Sequence, residues 1–167
     1  CGPLLKPHAR RRVGVDLSGQ MLVQADKRGV YDELCQAELT AYLTAHPASF
    51  DVIASADTLV YFGALGELAA AAASALRPGG RLVFTVEAAA DEDAPLGYRL
   101  RYHGRYIHAR RYLQEVLRRS GFDTRLVEAR LRMEAGLPVA GFVVLATLAA
   151  GEGSSQREAN DAEGGTA

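Results

Sequence analysis

The 167 residues predict one α/β domain over residues 1–150: a doubly wound, mostly parallel sheet closing in a C-terminal antiparallel β-hairpin. Two observations carry this. Short apolar runs bounded by turn residues alternate with helix-like segments from residue 13 to about residue 121. The last two apolar runs then follow each other with no helix between them, which an antiparallel pair permits and a parallel pair does not. Composition agrees, since 49% hydrophobic and 23% charged residues suit a buried core and no collagenous or disordered class.

The elements follow in order. Val13-Gly14-Val15 comes after three arginines and ends in Asp16, a short strand. Ser18 is placed to N-cap a helix from about Gly19 to Lys27, with Met21, Leu22 and Ala25 on one face and Gly29 as its stop. Glu33 to Ala37 reads as a weaker strand, and Thr40 to Ala45 as a short helix closed by Pro47. Phe50 to Ser55 (FDVIAS) is largely apolar, as expected in the middle of a parallel sheet covered on both faces. Leu65, Leu68, Ala69, Ala72 and Leu76 recur at helical spacing in an alanine-rich stretch, and Arg77-Pro78-Gly79-Gly80 stops that helix abruptly. Arg81 to Glu87 (RLVFTVE) is the next strand, and Ala88 to about Arg105 reads as a polar, arginine-bearing loop. A helix resumes near His108, carries Tyr112, Leu113, Val116 and Leu117, and stops at Gly121. Thr124 to Arg132 and Val139 to Leu148, joined by Met133 to Pro138, form the closing hairpin. The sequence has no internal repeat.

Nineteen Lys+Arg against twenty Asp+Glu give a net charge of -1, which argues against a surface built wholly to hold nucleic acid. Residues 151–167 alone carry -3 and read as a disordered, solvating acidic tail. Two cysteines, Cys1 and Cys35, build no secreted-type disulfide framework, no run is long enough to span a bilayer, and no leader precedes a cleavage site; a reducing cytoplasm is the expectation. Cys1-Gly2 would also suit the start of a lipid-anchored protein, but an anchor normally leads into a polar linker and here folded pattern begins at once.

In doubly wound sheets ligands bind outside the carboxyl ends of the strands, so Asp16, Glu38, Ser55 to Asp57 and Glu87 are the candidate positions. An acid such as Asp16, with Leu17 beside it, can accept both hydroxyls of a ribose; a charge at the start of the following helix looks the same. Glu38 is placed to take a hydrogen bond from an exocyclic amine, with the backbone N–H of Leu39 available to a ring nitrogen; a solvated loop acid is the plain alternative. Met21 suits packing against an aromatic base or a core position on its own helix. The four histidines and two cysteines show no zinc-type spacing, so no metal is expected. Residues 98–119 hold seven arginines, Arg99, Arg101, Arg105, Arg110, Arg111, Arg118 and Arg119, with Tyr98, Tyr102, Tyr106 and Tyr112 interleaved. That run reads as a clamp for a carboxylate or phosphate, as a polyanion surface, or as a solvated face in a chain with seventeen Arg and two Lys. His103, His108 and Tyr61 are the candidates for a general base.

VGVDLS followed by Met21-Leu22, then AEL, FDVIASADTLVYF and above all ALRPGGRLVFTVE with the closing hairpin, resemble the class I S-adenosylmethionine-dependent methyltransferases. Within them the chain looks most like small-molecule methyltransferases of the quinone-biosynthesis type, and especially those carrying helical tetratricopeptide repeats upstream. The resemblance covers residues 1 to about 148, with the helix-LRPGG-strand element its most specific part. It implies a Rossmann-like fold and S-adenosylmethionine as cofactor. Asp16, with Leu17, would bind the cofactor ribose, Glu38 with Leu39 would read the adenine, and Met21 would pack on the base. Ser55, Ala56 and Asp57 would line the floor near the methionine part and the reacting methyl. It also implies that the fold's first strand and its glycine-rich loop lie upstream of Cys1, so that this chain alone would be inactive or weakly active. Two other readings stay open: a degenerate, non-catalytic module for partner binding, and an NAD-dependent oxidoreductase, which Asp16 would suit equally. The hairpin and the LRPGG stop count against the latter.

Overall fold

A computed structural model describes residues 2–150; the expected acidic tail lies outside the described residues. The chain runs α1 (Gly2–Leu5), β1 (Val13–Asp16), α2 (Gly19–Asp26), β2 (Glu33–Gln36), α3 (Leu39–Thr44), β3 (Phe50–Ser55), a 3-10 turn (Leu59–Tyr61), α4 (Gly66–Ala75) and β4 (Leu76–Ala89). A second 3-10 turn (Asp91–Asp93), β5 (Tyr98–Leu100), β6 (Tyr106–Ala109), α5 (Arg110–Arg119), β7 (Phe122–Glu134) and β8 (Leu137–Leu148) complete it.

The alternation is the expected one through β4, with β1–β2, β3–β4 and β4–β6 parallel. The antiparallel hairpin β7–β8 then adds to β4 through β8. Its two-residue turn is Ala135-Gly136, both at positive φ (48° and 79°), the backbone that matches the right-handed twist of the strands on either side. The described strands fall into two pieces. β1 pairs with β2 alone and β3 with β4 alone, so the edges of β1 and β3 carry backbone groups with no strand partner.

The core lies between the sheet and α4 and α5. Leu82, Phe84 and Val86 of β4 and Phe142, Val144 and Ala146 of β8 point into it, against Leu68 and Ala72 of α4 and Leu113 and Leu117 of α5. Each such large side chain contributes about 1.5–3 kcal/mol relative to exposure, and the alanines let α4 lie close to the sheet. α5 is amphipathic, with Leu113 and Leu117 inward and arginines on its outer side.

Three expectations are corrected. FDVIAS is not a strand covered on both faces: it pairs on one edge only, and Val52 is 50% exposed. The loop over residues 88–105 contains β5 and leads into β6, which takes over the β3 side of β4 at Glu87–Ala89, beyond the point where β3 ends. Finally, His108 lies in β6 rather than at a helix start, and α5 begins at Arg110.

Candidate functional site

The parallel register Asp16↔Gln36 brings the carboxyl ends of β1 and β2 to one rim, with Asp16 closing β1 and Glu38 just beyond β2. Asp16 Oδ1 accepts the Ser18 N–H at 2.8 Å, and Ser18 Oγ in turn accepts the Met21 N–H at 3.3 Å, capping α2. Asp16 Oδ2 has no protein partner among the described residues. Gln36 Nε2 donates to Leu17 O at 2.9 Å and ties the two strand ends together.

Glu38 is the N-cap of α3. Its Oε1 accepts the Thr40 N–H (2.9 Å) and its Oε2 the Ala41 N–H (2.7 Å), and the Thr40 bond above all holds its carboxyl below the usual range against the opposing effect of burial. Leu39 is half-buried behind it. Leu17 is 68% exposed and Met21 58%, so Met21 is not core; both leave apolar surface beside Asp16.

Ser55, Ala56 and Asp57 stand at the end of β3, on the other piece of sheet. Asp57 has a left-handed backbone (φ 57°), and its N–H donates to Thr85 Oγ1 at 3.0 Å, so its side chain turns toward β4 and β7. There it joins a charged network that sequence reading did not foresee. Glu87 of β4 is 4% exposed, and Arg132 of β7 donates to it through Nη2. Arg132 Nη1 also donates to Asp57 Oδ1 (3.3 Å) and Nη2 to Glu134 Oε2 (3.0 Å). Arg105 Nη1 lies 3.2 Å from Glu134 Oε2 and 4.0 Å from Glu87 Oε1, and His103 Nε2 lies 3.9 Å from Glu87 Oε2. Burial opposes the charge on Arg132, but Glu87 and Glu134 outweigh it and hold the guanidinium charged; Arg132 in turn lowers the Glu134 carboxyl. Glu87 is legible as a strand-end acid, but Arg132 reaches it from 45 residues away, and no local signal announces that pairing.

Of the base candidates, His108 is fully buried. Its Nε2 lies 3.1 Å from Gly63 O, which makes Nε2–H the donor, and its Nδ1 is buried with no partner. Burial pushes its pKa below 6.5, and it has no path to a ligand at the rim. His103 and Tyr61 remain accessible. Five of the seven arginines pair with carboxylates: Arg99 with Asp93, Arg105 with Glu134, Arg110 with Glu128, and Arg118 and Arg119 with Glu115. An open cleft of about 620 Å³ between α3 and α4 is lined by Glu38, Thr40, Ala41, Phe62, Ala64 and Glu67.

Residues 2–84 match the family model described as a methyltransferase domain. No curated protein matches the sequence. Among solved structures, a Listeria monocytogenes protein described as an S-adenosylmethionine-dependent methyltransferase has 17% identity and a TM-score of 0.68, over 88% of this chain and 84% of that one. The S-adenosylmethionine-dependent methyltransferase of Mesorhizobium loti has 23% identity and a TM-score of 0.62, over 83% and 81%. A Bordetella parapertussis protein has 17% identity and a TM-score of 0.61 over 83% of this chain, which spans 54% of its length. At these identities the structural likeness shows the shared fold, and the family match is independent of it. The chain thus matches a methyltransferase domain over residues 2–84 and shares its fold with proteins described as S-adenosylmethionine-dependent methyltransferases.

Proposed function

We propose that the chain serves methyl transfer from S-adenosylmethionine to a small-molecule acceptor, with Asp16, Leu17, Met21, Glu38 and Leu39 at the adenosine end and Ser55, Ala56 and Asp57 beside the reacting methyl. The observation that carries this is the β1–β2 rim: a carboxylate with one oxygen open, a second carboxylate fixed by a helix cap, and exposed Leu17 and Met21 next to them. These groups fit a ribose diol and an aromatic base. When bound, the cofactor supplies a methyl already activated on a sulfonium. The chain's contribution is to hold the adenosine by Asp16 and the capped Glu38, to cover the base with Met21, and to keep the acceptor in line at the β3 end. Alignment of that kind lowers barriers by roughly 7–11 kcal/mol.

The isolated chain is expected to be weakly active or inactive, because the two groups of residues stand on separate pieces of sheet and only a shared, rigid rim holds donor and acceptor in line. An anionic acceptor would fall to Arg101 and Arg111, the two of the seven arginines with no carboxylate partner among the described residues. The same reading carries helical tetratricopeptide repeats upstream in the full-length protein and a cytoplasmic setting. No described helix is long and apolar enough to cross a membrane. Cys35 is a free thiol whose hydrogen bond to Glu33 raises its pKa, so it stays protonated and unreactive.

The split sheet also favours a second reading, a non-catalytic module that kept the fold for partner binding. Titration with S-adenosylmethionine, followed by amide shifts, separates the two. Methyl transfer predicts shifts centred on residues 16–21 and 38–39, and an Asp16→Ala variant with about tenfold weaker binding, about 1.4 kcal/mol. Equal affinity in the variant, or binding of NAD in place of the methyl donor, overturns the assignment.

A further inference from the structure

Glu87, near the end of β4, is 4% exposed, yet only one of its carboxylate oxygens is bonded. Oε1 accepts Arg132 Nη2, which the bulge in β7 between Arg130 and Arg132 brings over it. Oε2 has no hydrogen bond among the described residues; its neighbour is His103 Nε2 at 3.9 Å, on the turn between β5 and β6. A buried carboxylate oxygen without a donor is destabilising, so the position calls for one. No further strand can supply it, because at Glu87 one edge of β4 pairs with Ile107 of β6 and the other with Gly141 of β8. The gap to His103 is too long for a direct hydrogen bond and suits one donor atom shared by both groups. A nitrogen about 2.9 Å from each subtends an angle of about 85°, which two N–H bonds of an ammonium reach with a bend of about 12° each. Water fits the same gap, and charge decides between the two. Asp57, Glu87 and Glu134 against Arg105 and Arg132 leave this linked group with one negative charge in excess, which a cation neutralises and water does not.

We propose that Glu87 Oε2 and His103 Nε2 together hold the amino group of the methyl acceptor, which makes the acceptor an amine. The inference rests on the methyl-transfer reading for the fate of that group, and on the geometry above for its binding. Arg132 donates to both Glu87 and Asp57, so the amine stands across one guanidinium from the β3 end where that reading places the acceptor. An ammonium has no lone pair to attack with. One of its protons therefore passes to the neutral His103 Nε2, and the freed nitrogen bonds the methyl carbon as the S–CH3 bond breaks, leaving a neutral thioether. The imidazolium so formed faces the Glu87 carboxylate. An anionic group elsewhere on the acceptor would still fall to Arg101 and Arg111, neither of which belongs to this cluster.

Amide shifts of the 167-residue chain, titrated at neutral pH and without any methyl donor, test it with three probes of equal length: butylammonium, butanol and butyrate. Butylammonium should give saturable shifts at residues 57, 87 and 103–105, with an affinity about tenfold or more above that of butanol, and butyrate should give none there. Glu87→Gln should abolish the preference for butylammonium over butanol. Glu134→Gln, which removes a carboxylate outside the Glu87–His103 pair, should stay within about threefold of the parent. His103→Phe, on a surface turn where folding does not depend on it, should weaken butylammonium about tenfold. No saturable shift at these residues, an equal response to butanol or butyrate, or undiminished binding in His103→Phe overturns the proposal. Because no donor is present, that outcome leaves the titration of Asp16→Ala with S-adenosylmethionine standing, and failure of that titration leaves the amine result standing.

Discussion

Replacing Arg132 by Met keeps most of the side-chain volume and removes the charge closest to Glu87. The Glu87 side chain is 6% exposed, so its carboxylate cannot turn to water when the guanidinium is lost. Breaking a buried ion pair by removing one member costs about 3–5 kcal/mol. Two observations reduce that figure. The Arg132 side chain is itself 22% exposed, and Arg105 and His103 remain about 4 Å from Glu87 as partial replacements. We therefore expect a loss of about 2–3 kcal/mol, read by urea unfolding at neutral pH, and a fall in Tm of about 4–12 °C for a domain of this size. The diagnostic arm is the double-mutant cycle. In a Glu87→Gln background no buried charge is left behind, and Arg132→Met should cost less than about 1 kcal/mol. If Arg132→Met costs the same with Gln at position 87, the penalty comes from packing and not from the orphaned carboxylate, and this account of the network is wrong.

Two more outcomes follow from Tyr112 of α5 and His108 of β6. The Tyr112 hydroxyl accepts the Leu65 N–H at 2.7 Å, at the start of α4 where no helical partner exists, so Tyr112→Phe should cost about 1–3 kcal/mol and expose the Leu65 amide to faster hydrogen exchange; unchanged exchange at Leu65 would refute the contact. His108 is buried with its pKa depressed, so the unfolded chain takes up the proton first as pH falls below about 6.5. Its contribution is fully present above that pH and is lost on acidification toward the folded value, at up to about 1.4 kcal/mol per unit of depression. Urea unfolding between about pH 5 and pH 7.5 should show a slope that His108→Phe flattens, and an equal slope in both proteins would count against it.

What could be read from the sequence divides by the range of the interaction that decides it. The start of α2 at Gly19 was legible because its cap is three residues long: Ser18 and the Met21 N–H settle it locally. The hairpin is legible because both strands are long, β8 is largely apolar, β7 mixes apolar with charged residues as a half-exposed strand does, and nothing helical separates them. β5 and β6 were not, since strands of three and four residues carry no period of their own and exist by pairing with each other and with the end of β4. His108 shows the same limit. Isoleucine, histidine and alanine ahead of Arg110 and Arg111 suit the first turn of a helix as well as a strand, and only the register of Ala88 with His108 decides between them. FDVIAS is apolar enough to be buried twice over, yet a pattern cannot say what covers it.

The rim residues show why local and functional readings of one side chain need not compete. Sequence alone sets Glu38 as either a solvated loop acid or an adenine partner, and the structure makes it a helix cap. A capping carboxylate accepts one amide on each oxygen, which fixes its position and keeps it ionised at neutral pH, while each oxygen retains a lone pair for a further donor. Asp16 is held the same way through one oxygen by Ser18. Both acids are thus oriented by their own backbone turns before any ligand arrives, so ligand binding need not first order them. The β3 end is organised differently. Asp57 owes its place to Thr85 and Arg132, which lie 28 and 75 residues away, so its geometry depends on the whole sheet being assembled. A substitution that loosens β7 should therefore disturb residues 55–57 while leaving the Asp16–Glu38 rim intact, the asymmetry expected when one half of a site is built from local turns and the other from long-range pairing.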